Sequence, residues 1–257
     1  MKAVILAGGR GTRLAEETES RPKPLVEIGS RPIIWHIMHI YAHHGIREFV
    51  VCLGYKGYLL KEYFLNLALH DSDVTIDVGG GTIEYHRSDQ PDWRVTLVDT
   101  GLDTMTGGRI KRIAEFLTSG EPFCLTYGDG VGDIDVSASV DFHHSHGQLA
   151  TMTTVRPPAR FGTVALTGDR VTAFAEKSEQ GTHNTNGGFF VLEERVLDYI
   201  KDDTTTWEQE PLRALAADGQ LAAYRHDGFW QPMDTVWERN YLEKLWASGR
   251  APWNVWE

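Results

Sequence analysis

A short apolar run at residues 3–6 (AVIL) opens the chain, and runs of this kind then alternate with segments whose apolar residues recur at helical spacing. Residues 33–41 and 58–69 carry the helical pattern, and 49–53 form a second apolar run, so the first quarter reads as βαβα. That order predicts a mainly parallel sheet with helices on both faces and ligands held at the carboxyl ends of its strands. Pro32 suits a first helical turn after Ser30, and Gly45 suits a helix stop. A third apolar run, 123–127, ends in Gly128-Asp129-Gly130 at the same expected edge.

Between 71 and 105 the rhythm breaks. Three short strand-like runs, 74–78, 83–86 and 95–99, are separated by Gly79-Gly80-Gly81 and Pro91, which predicts a small β insertion over the site. Later runs at 150–155, 164–166, 171–174 and 188–192 read as a sheet extension able to carry a second ligand, and 229–257 as a C-terminal extension. No repeat, low-complexity tract or linker divides the 257 residues, so one domain over 1–257 is expected. The fold class is α/β, a Rossmann-like, mostly parallel mixed sheet flanked by helices.

The formal net charge of −11 argues against a general nucleic-acid or anionic-membrane partner, both of which need summed positive potential. No apolar stretch is long enough to span a membrane, and Met1-Lys2 leads directly into a strand, so the expectation is a cytoplasmic protein. Cys52 and Cys124 each fall within apolar runs and are expected as buried thiols.

Against that acidic background, Arg10, Arg13, Arg21 and Lys23 gather in one short stretch. Arg10 and Arg13 lie within LAGGRGTRL (6–14) and Arg21 and Lys23 follow it, while Gly8, Gly9 and Gly11 let the backbone approach a ligand closely after the first strand. The loop reads as suited to phosphate, the alternative being a glycine-rich turn that joins the strand to the next element. It is not a dinucleotide fingerprint, which needs a glycine where Leu14 stands, nor a P-loop, which needs Gly-Lys where Arg13-Leu14 stand.

Five segments together carry a resemblance: LAGGRGTRL, RPKPLVEIGSRPI (21–33), YGDG (127–130), AEKS (175–178) and NGGFFV (186–191). In this order the chain resembles the sugar-nucleotide pyrophosphorylases. DTGLDTMTGGRIKRI (99–113), FWQPMDT (229–235) and the ending APWNVWE narrow the resemblance to the glucose-1-phosphate cytidylyltransferases. It spans essentially the whole chain and implies the nucleotide-diphospho-sugar transferase fold. It further implies a cytoplasmic homo-oligomer, a hexamer in its relatives, that makes CDP-glucose from CTP and glucose 1-phosphate for lipopolysaccharide O-antigen sugars.

The resemblance also distributes roles. Arg13 and Lys23 are the expected catalytic cations. Leu6, Ala7, Gly8, Gly9, Arg10, Gly11, Thr12, Arg13, Lys23, Thr104, Arg109 and Gly128 are expected at the nucleotide, and Gly162, Glu176, Lys177, Asn186 and Trp230 at the sugar phosphate. Ser178 stands where the related motif often has proline. Asp129 and Asp234 are expected to seat Mg²⁺, an ion that takes a few carboxylates and completes its shell with water and phosphate oxygens. Each aspartate has an alternative: Asp129 shaping a turn, Asp234 capping the following helix. Gly107-Gly108-Arg109 also reads as a turn before a helix at 110–116.

Other features carry less chemistry. His36, His39 and His43 share a helix face without a metalloprotease pattern, Thr205 and Glu208 have capping-box spacing, and five of eight tryptophans (Trp230, Trp237, Trp246, Trp253 and Trp256) fall near the C-terminal end, as if to pack the tail against the body or another subunit. Competing readings are a uridylyl- or thymidylyltransferase on the same scaffold, and a non-catalytic sugar-nucleotide sensor.

Overall fold

The computed structural model describes residues 1–88, 90–118, 120–157, 163–167, 170–175 and 184–256. Seven strands form the central sheet: β1 (Lys2–Ala7), β2 (Glu48–Leu53), β3 (Arg94–Asp99), β4 (Phe123–Tyr127), β5 (Ala150–Val155), β6 (Thr185–Leu192) and β7 (Leu221–Arg225). Their spatial order is β7-β5-β6-β4-β1-β2-β3. Every pairing is parallel except the two made by β6, which runs antiparallel to both β5 and β4. β1 is an inner strand between β4 and β2, and its residues 3–7 are buried.

Alternation along β1 feeds two cores. Ala3, Ile5 and Ala7 face one layer with Phe49 and Val51 of β2 and the apolar side of α1 (Ile33–His43), while Val4 and Leu6 face the other with Ile110, Leu125 and Trp207. α2 (Gly57–Leu65) follows β2, α3 (Thr106–Arg112) follows β3, α4 (Val136–His146) precedes β5, and α5 (Glu210–Ala217) precedes β7. Both cysteines are buried free thiols, and burial pushes each up to about 12. No helix among the described residues is long and apolar enough to cross a membrane.

The β insertion is narrower than the expected 71–105. Only Ser72–Asp77 and Thr82–Ser88 stand apart, as an antiparallel hairpin, whereas 94–99 is β3 and pairs with β2 from end to end. As the edge strand β3 is only half-buried, so its sequence lacks the continuous apolar signature of an inner strand. The later strands also divide. β5 and β6 join the central sheet, but Thr163–Thr167 and Arg170–Ala175 pair only with each other.

The tail closes over α1. α6 (Val236–Ala247) leads to Trp253, which is fully buried and stacks between Phe229 and Trp246, and to Trp256, which meets Trp35 and His39. His36 is buried in this aromatic layer. Its Nε2–H donates to the Ile28 carbonyl at 2.9 Å, and its Nδ1 accepts the Trp253 indole N–H at 3.4 Å, since a carbonyl only accepts and an indole only donates. Burial lowers the pKa of His36, and likewise that of His39, from 6.5 to about 4.

These neutral rings make folding sensitive to acid. Between pH 6.5 and about 4 the unfolded chain binds protons that the folded chain refuses, so their contribution is complete above pH 6.5 and falls as pH drops toward 4. The urea midpoint is expected to fall across that window, and His36→Gln to flatten the fall. A slope unchanged by His36→Gln would remove the assignment.

Candidate active site

Sheet order reverses at β1, which has β2 on one side and β4 on the other. A crevice opens at such a point beyond the carboxyl ends of the strands. Leu6 lies beside Tyr127 in register, and the Gly128 N–H donates to the Leu6 carbonyl at 3.0 Å, so the loops leaving β1 and β4 run side by side.

Two glycines shape the β1 loop. Gly11 takes φ +64°, the left-handed region, and its carbonyl accepts the Leu14 N–H at 2.9 Å to start the turn Thr12–Leu14. At Gly8 a Cβ would stand 2.2 Å from the Arg109 guanidinium, so only glycine admits that group.

Arg109 is 5% exposed and donates to the carbonyls of Leu53 (2.9 Å), Gly101 (2.7 Å), Gly8 (3.2 Å) and Leu102 (3.3 Å), and to Thr100 Oγ1 (2.8 Å). Burial lowers its pKa, with no carboxylate hydrogen-bonded to it among the described residues. It staples the ends of β1 and β2 to the loop after β3. The turn expected at 107–109 is instead the first half of α3, where Gly107 and Gly108 pack directly on the backbone of Thr205 and Asp203.

All the expected nucleotide residues except Arg10 line one cavity of about 350 Å³. Arg10 turns outward to an exposed ion pair with Asp103 at 3.1 Å. A second cavity of about 1050 Å³ is lined by Asn186, Trp230 and Asp234, and Arg13, Tyr127 and Asp129 belong to both walls. Trp230 spends its indole N–H on the Gly187 carbonyl at 2.7 Å, and Asn186 Oδ1 accepts the Gly188 N–H at 2.8 Å. Gly162, Glu176 and Lys177 lie outside the described residues.

At the shared wall four charges meet. Lys23 Nζ donates to Asp129 Oδ2 at 2.7 Å and to Asp234 Oδ1 at 2.6 Å, while Arg13 donates to Asp234 Oδ2 at 2.6 Å. Lys23 is held in the short turn Lys23–Leu25 and is 90% covered, whereas Arg13 is 73% exposed. The two aspartates, far apart in sequence, are brought together by the antiparallel pairing of Gly130–Gly132 with Trp230–Pro232. Asp234 is not the helix cap. Thr235 caps α6 in a capping box with Glu238, and the Asp234 carboxylate is left to the cleft.

A sequence profile of the nucleotidyl transferase family matches residues 2–238. A glucose-1-phosphate cytidylyltransferase of Salmonella typhimurium is 55% identical over 257 residues, covering all of both chains. The chain belongs to this cytidylyltransferase branch of the nucleotidyl transferases. A Bacillus subtilis relative described as a "probable glucose-1-phosphate cytidylyltransferase" is 45% identical, again over the whole of both chains. In fold the enzyme matches HddC from Yersinia pseudotuberculosis with a TM-score of 0.69 at 20% identity, over 95% of this chain and 99% of that one.

The donor set in this enzyme suits Mg²⁺. No group of three or more His, Cys, Asp or Glu residues able to hold a metal occurs among the described residues, but two hard carboxylates converge on one point, and Mg²⁺ commonly takes only one or two from the protein. Their present bridge is the Lys23 ammonium, itself a cation.

Sequence reasoning missed Glu208. Thr205 does not cap a helix with it: Thr205 Oγ1 accepts the Asp202 N–H at 3.1 Å, and Glu208 reaches across to Tyr127 and Thr106 instead. The neighbouring Trp207 is fully buried and anchors this segment.

Proposed function

We propose that the chain transfers the cytidylyl group of CTP to α-D-glucose 1-phosphate, giving CDP-glucose and pyrophosphate. The convergence of Lys23, Arg13, Asp129 and Asp234 on the wall shared by a nucleotide-sized cavity and a second, larger one carries this reading. A phosphate oxygen of the sugar attacks the α-phosphorus, that P–O bond forms, and the bond from the α-phosphorus to the oxygen bridging to the β-phosphorus breaks with its electrons leaving on pyrophosphate. Catalysis of such a step is positioning and charge stabilisation.

The β1 loop presents its backbone to the triphosphate, and Arg109 keeps that loop rigid from behind. Lys23 binds the α-phosphate and its attacker, and Arg13, the more exposed cation, stabilises the charge that grows on the leaving pyrophosphate. Asp129 and Asp234 would hold Mg²⁺, which supplies charge neutralisation at the phosphate oxygens when bound. Selection of cytosine requires acceptors facing its amino group, a demand that backbone carbonyls meet. Glu176, Lys177 and Gly162 complete the sugar-phosphate site in this proposal. The protein also works as a homo-oligomer, a reading supported by the exposed apolar face of the 72–88 hairpin, where Ile76 pairs with Ile83 and both are about half exposed.

Purified protein offered each nucleoside triphosphate with glucose 1-phosphate and Mg²⁺ tests the reading by pyrophosphate release. CTP is expected to be preferred by about tenfold or more over UTP and dTTP. An equal or better rate with UTP or dTTP would move the chain to the uridylyl or thymidylyl reading, and no release with any would favour a sensor.

A further inference from the structure

Glu208 stands in the wall of the larger cavity, half-buried, behind the fully buried Trp207. Its two carboxylate oxygens each receive one hydroxyl: Tyr127 Oη–H donates to Oε1, and Thr106 Oγ1–H donates to Oε2 at 2.7 Å. Thr106 is polarised for this, since its oxygen already accepts the Trp207 N–H at 2.9 Å. A carboxylate oxygen can only accept here, so the Tyr127 phenol is the donor. Thr106 lines the nucleotide cavity, Glu208 the larger one and Tyr127 both, so the trio forms part of the partition between them.

We propose that Glu208 accepts hexose hydroxyls of the bound sugar phosphate, and that Tyr127 and Thr106 are positioning residues that hold its carboxylate for that purpose. The assignment deepens the glucose 1-phosphate reading and rests on it. A carboxylate offers about four lone-pair sites, and the two hydroxyls use two of them, which leaves acceptor capacity at a cavity wall shared with Asn186 and Trp230. Glu208 makes no ion pair among the described residues. An unneutralised carboxylate repels phosphate, so the anionic end of the substrate is directed to Lys23 and Arg13 and the hydroxyl end to Glu208. Reading hydroxyls with a fixed charged acceptor discriminates strongly, because an analogue lacking the hydroxyl leaves that acceptor unpaired.

The test compares wild type and Glu208→Gln in steady-state pyrophosphate release with CTP, using glucose 1-phosphate and its mono-deoxy analogues in turn. The expected result is a rise in KM for glucose 1-phosphate of about tenfold or more, the scale of one hydrogen bond to a charged acceptor, with KM for CTP within about twofold. For at least one deoxy analogue, the wild-type preference for the full sugar should collapse toward unity in the variant. Tyr127→Phe, which keeps the carboxylate and removes one tether, should raise the sugar KM less and retain most of the preference. Unchanged discrimination in Glu208→Gln, or a parallel rise in both KM values, overturns the assignment and leaves Glu208 a brace for its segment. If Glu208→Gln does not fold, full retention of wild-type sugar KM by Tyr127→Phe overturns it instead. Wild-type turnover is measured first: its absence defeats the glucose 1-phosphate reading itself, whereas its presence isolates Glu208.

Discussion

Replacing Lys23 by alanine is expected to lower kcat/KM for CTP by about 10² to 10³ or more while the protein stays folded. The side chain is 90% covered, and its ammonium lies 2.7 Å from Asp129 and 2.6 Å from Asp234. Removing it takes away the proposed phosphate ligand and also the cation that separates two carboxylates. Arg13 then faces that pair alone, from a side chain 73% exposed to water. Lys23→Arg should rescue little, because a planar guanidinium replaces a point charge in a space bounded by two oxygens that already sit at contact distance. A second readout has the opposite sign. With Mg²⁺ seated on Asp129 and Asp234 as proposed, the wild-type ammonium would compete for the same oxygens, so half-saturation by Mg²⁺ should fall in Lys23→Ala even as turnover collapses. Near-normal turnover, with a melting curve like wild type, would remove Lys23 from the reaction.

What could be read from the chain was what is local in it. The loop after β1 was legible as a cavity lining, Arg10 apart, because the glycines, Arg13 and the end of β1 are contiguous, and the βαβα order follows from apolar periodicity that each segment carries by itself. Contacts made across the fold left weaker traces. Asp129 and Asp234 meet through the pairing of 130–132 with 230–232, three-residue strands too short for any periodicity to declare. Arg109 carries a charge that sequence reasoning aimed at the nucleotide, but five oxygens of the protein surround it. β3 was hidden by its edge position, and Glu208 by a capping-box spacing that Thr235 and Glu238 satisfy elsewhere in the chain.

Asp234→Asn separates the two readings of that aspartate, and its largest effect should appear in the magnesium titration. The local backbone does not depend on the carboxylate. The Asp234 N–H donates to Glu238 Oε2 at 2.8 Å, Thr235 caps α6, and Met233 is fully buried, so the turn and the helix start survive the substitution. The amide keeps the shape and an acceptor for Lys23 but loses the charge that both Arg13 and a divalent ion require. Half-saturating Mg²⁺ is therefore expected to rise by about tenfold or more, with kcat at saturating Mg²⁺ reduced by about 10², and with chelation abolishing turnover in both proteins. A helix cap predicts the reverse pattern: a lower melting temperature and an unchanged metal titration. That outcome would detach Asp234 from the metal and leave Asp129, paired with the Lys23 ammonium at 2.7 Å, as the one remaining carboxylate of the proposed seat.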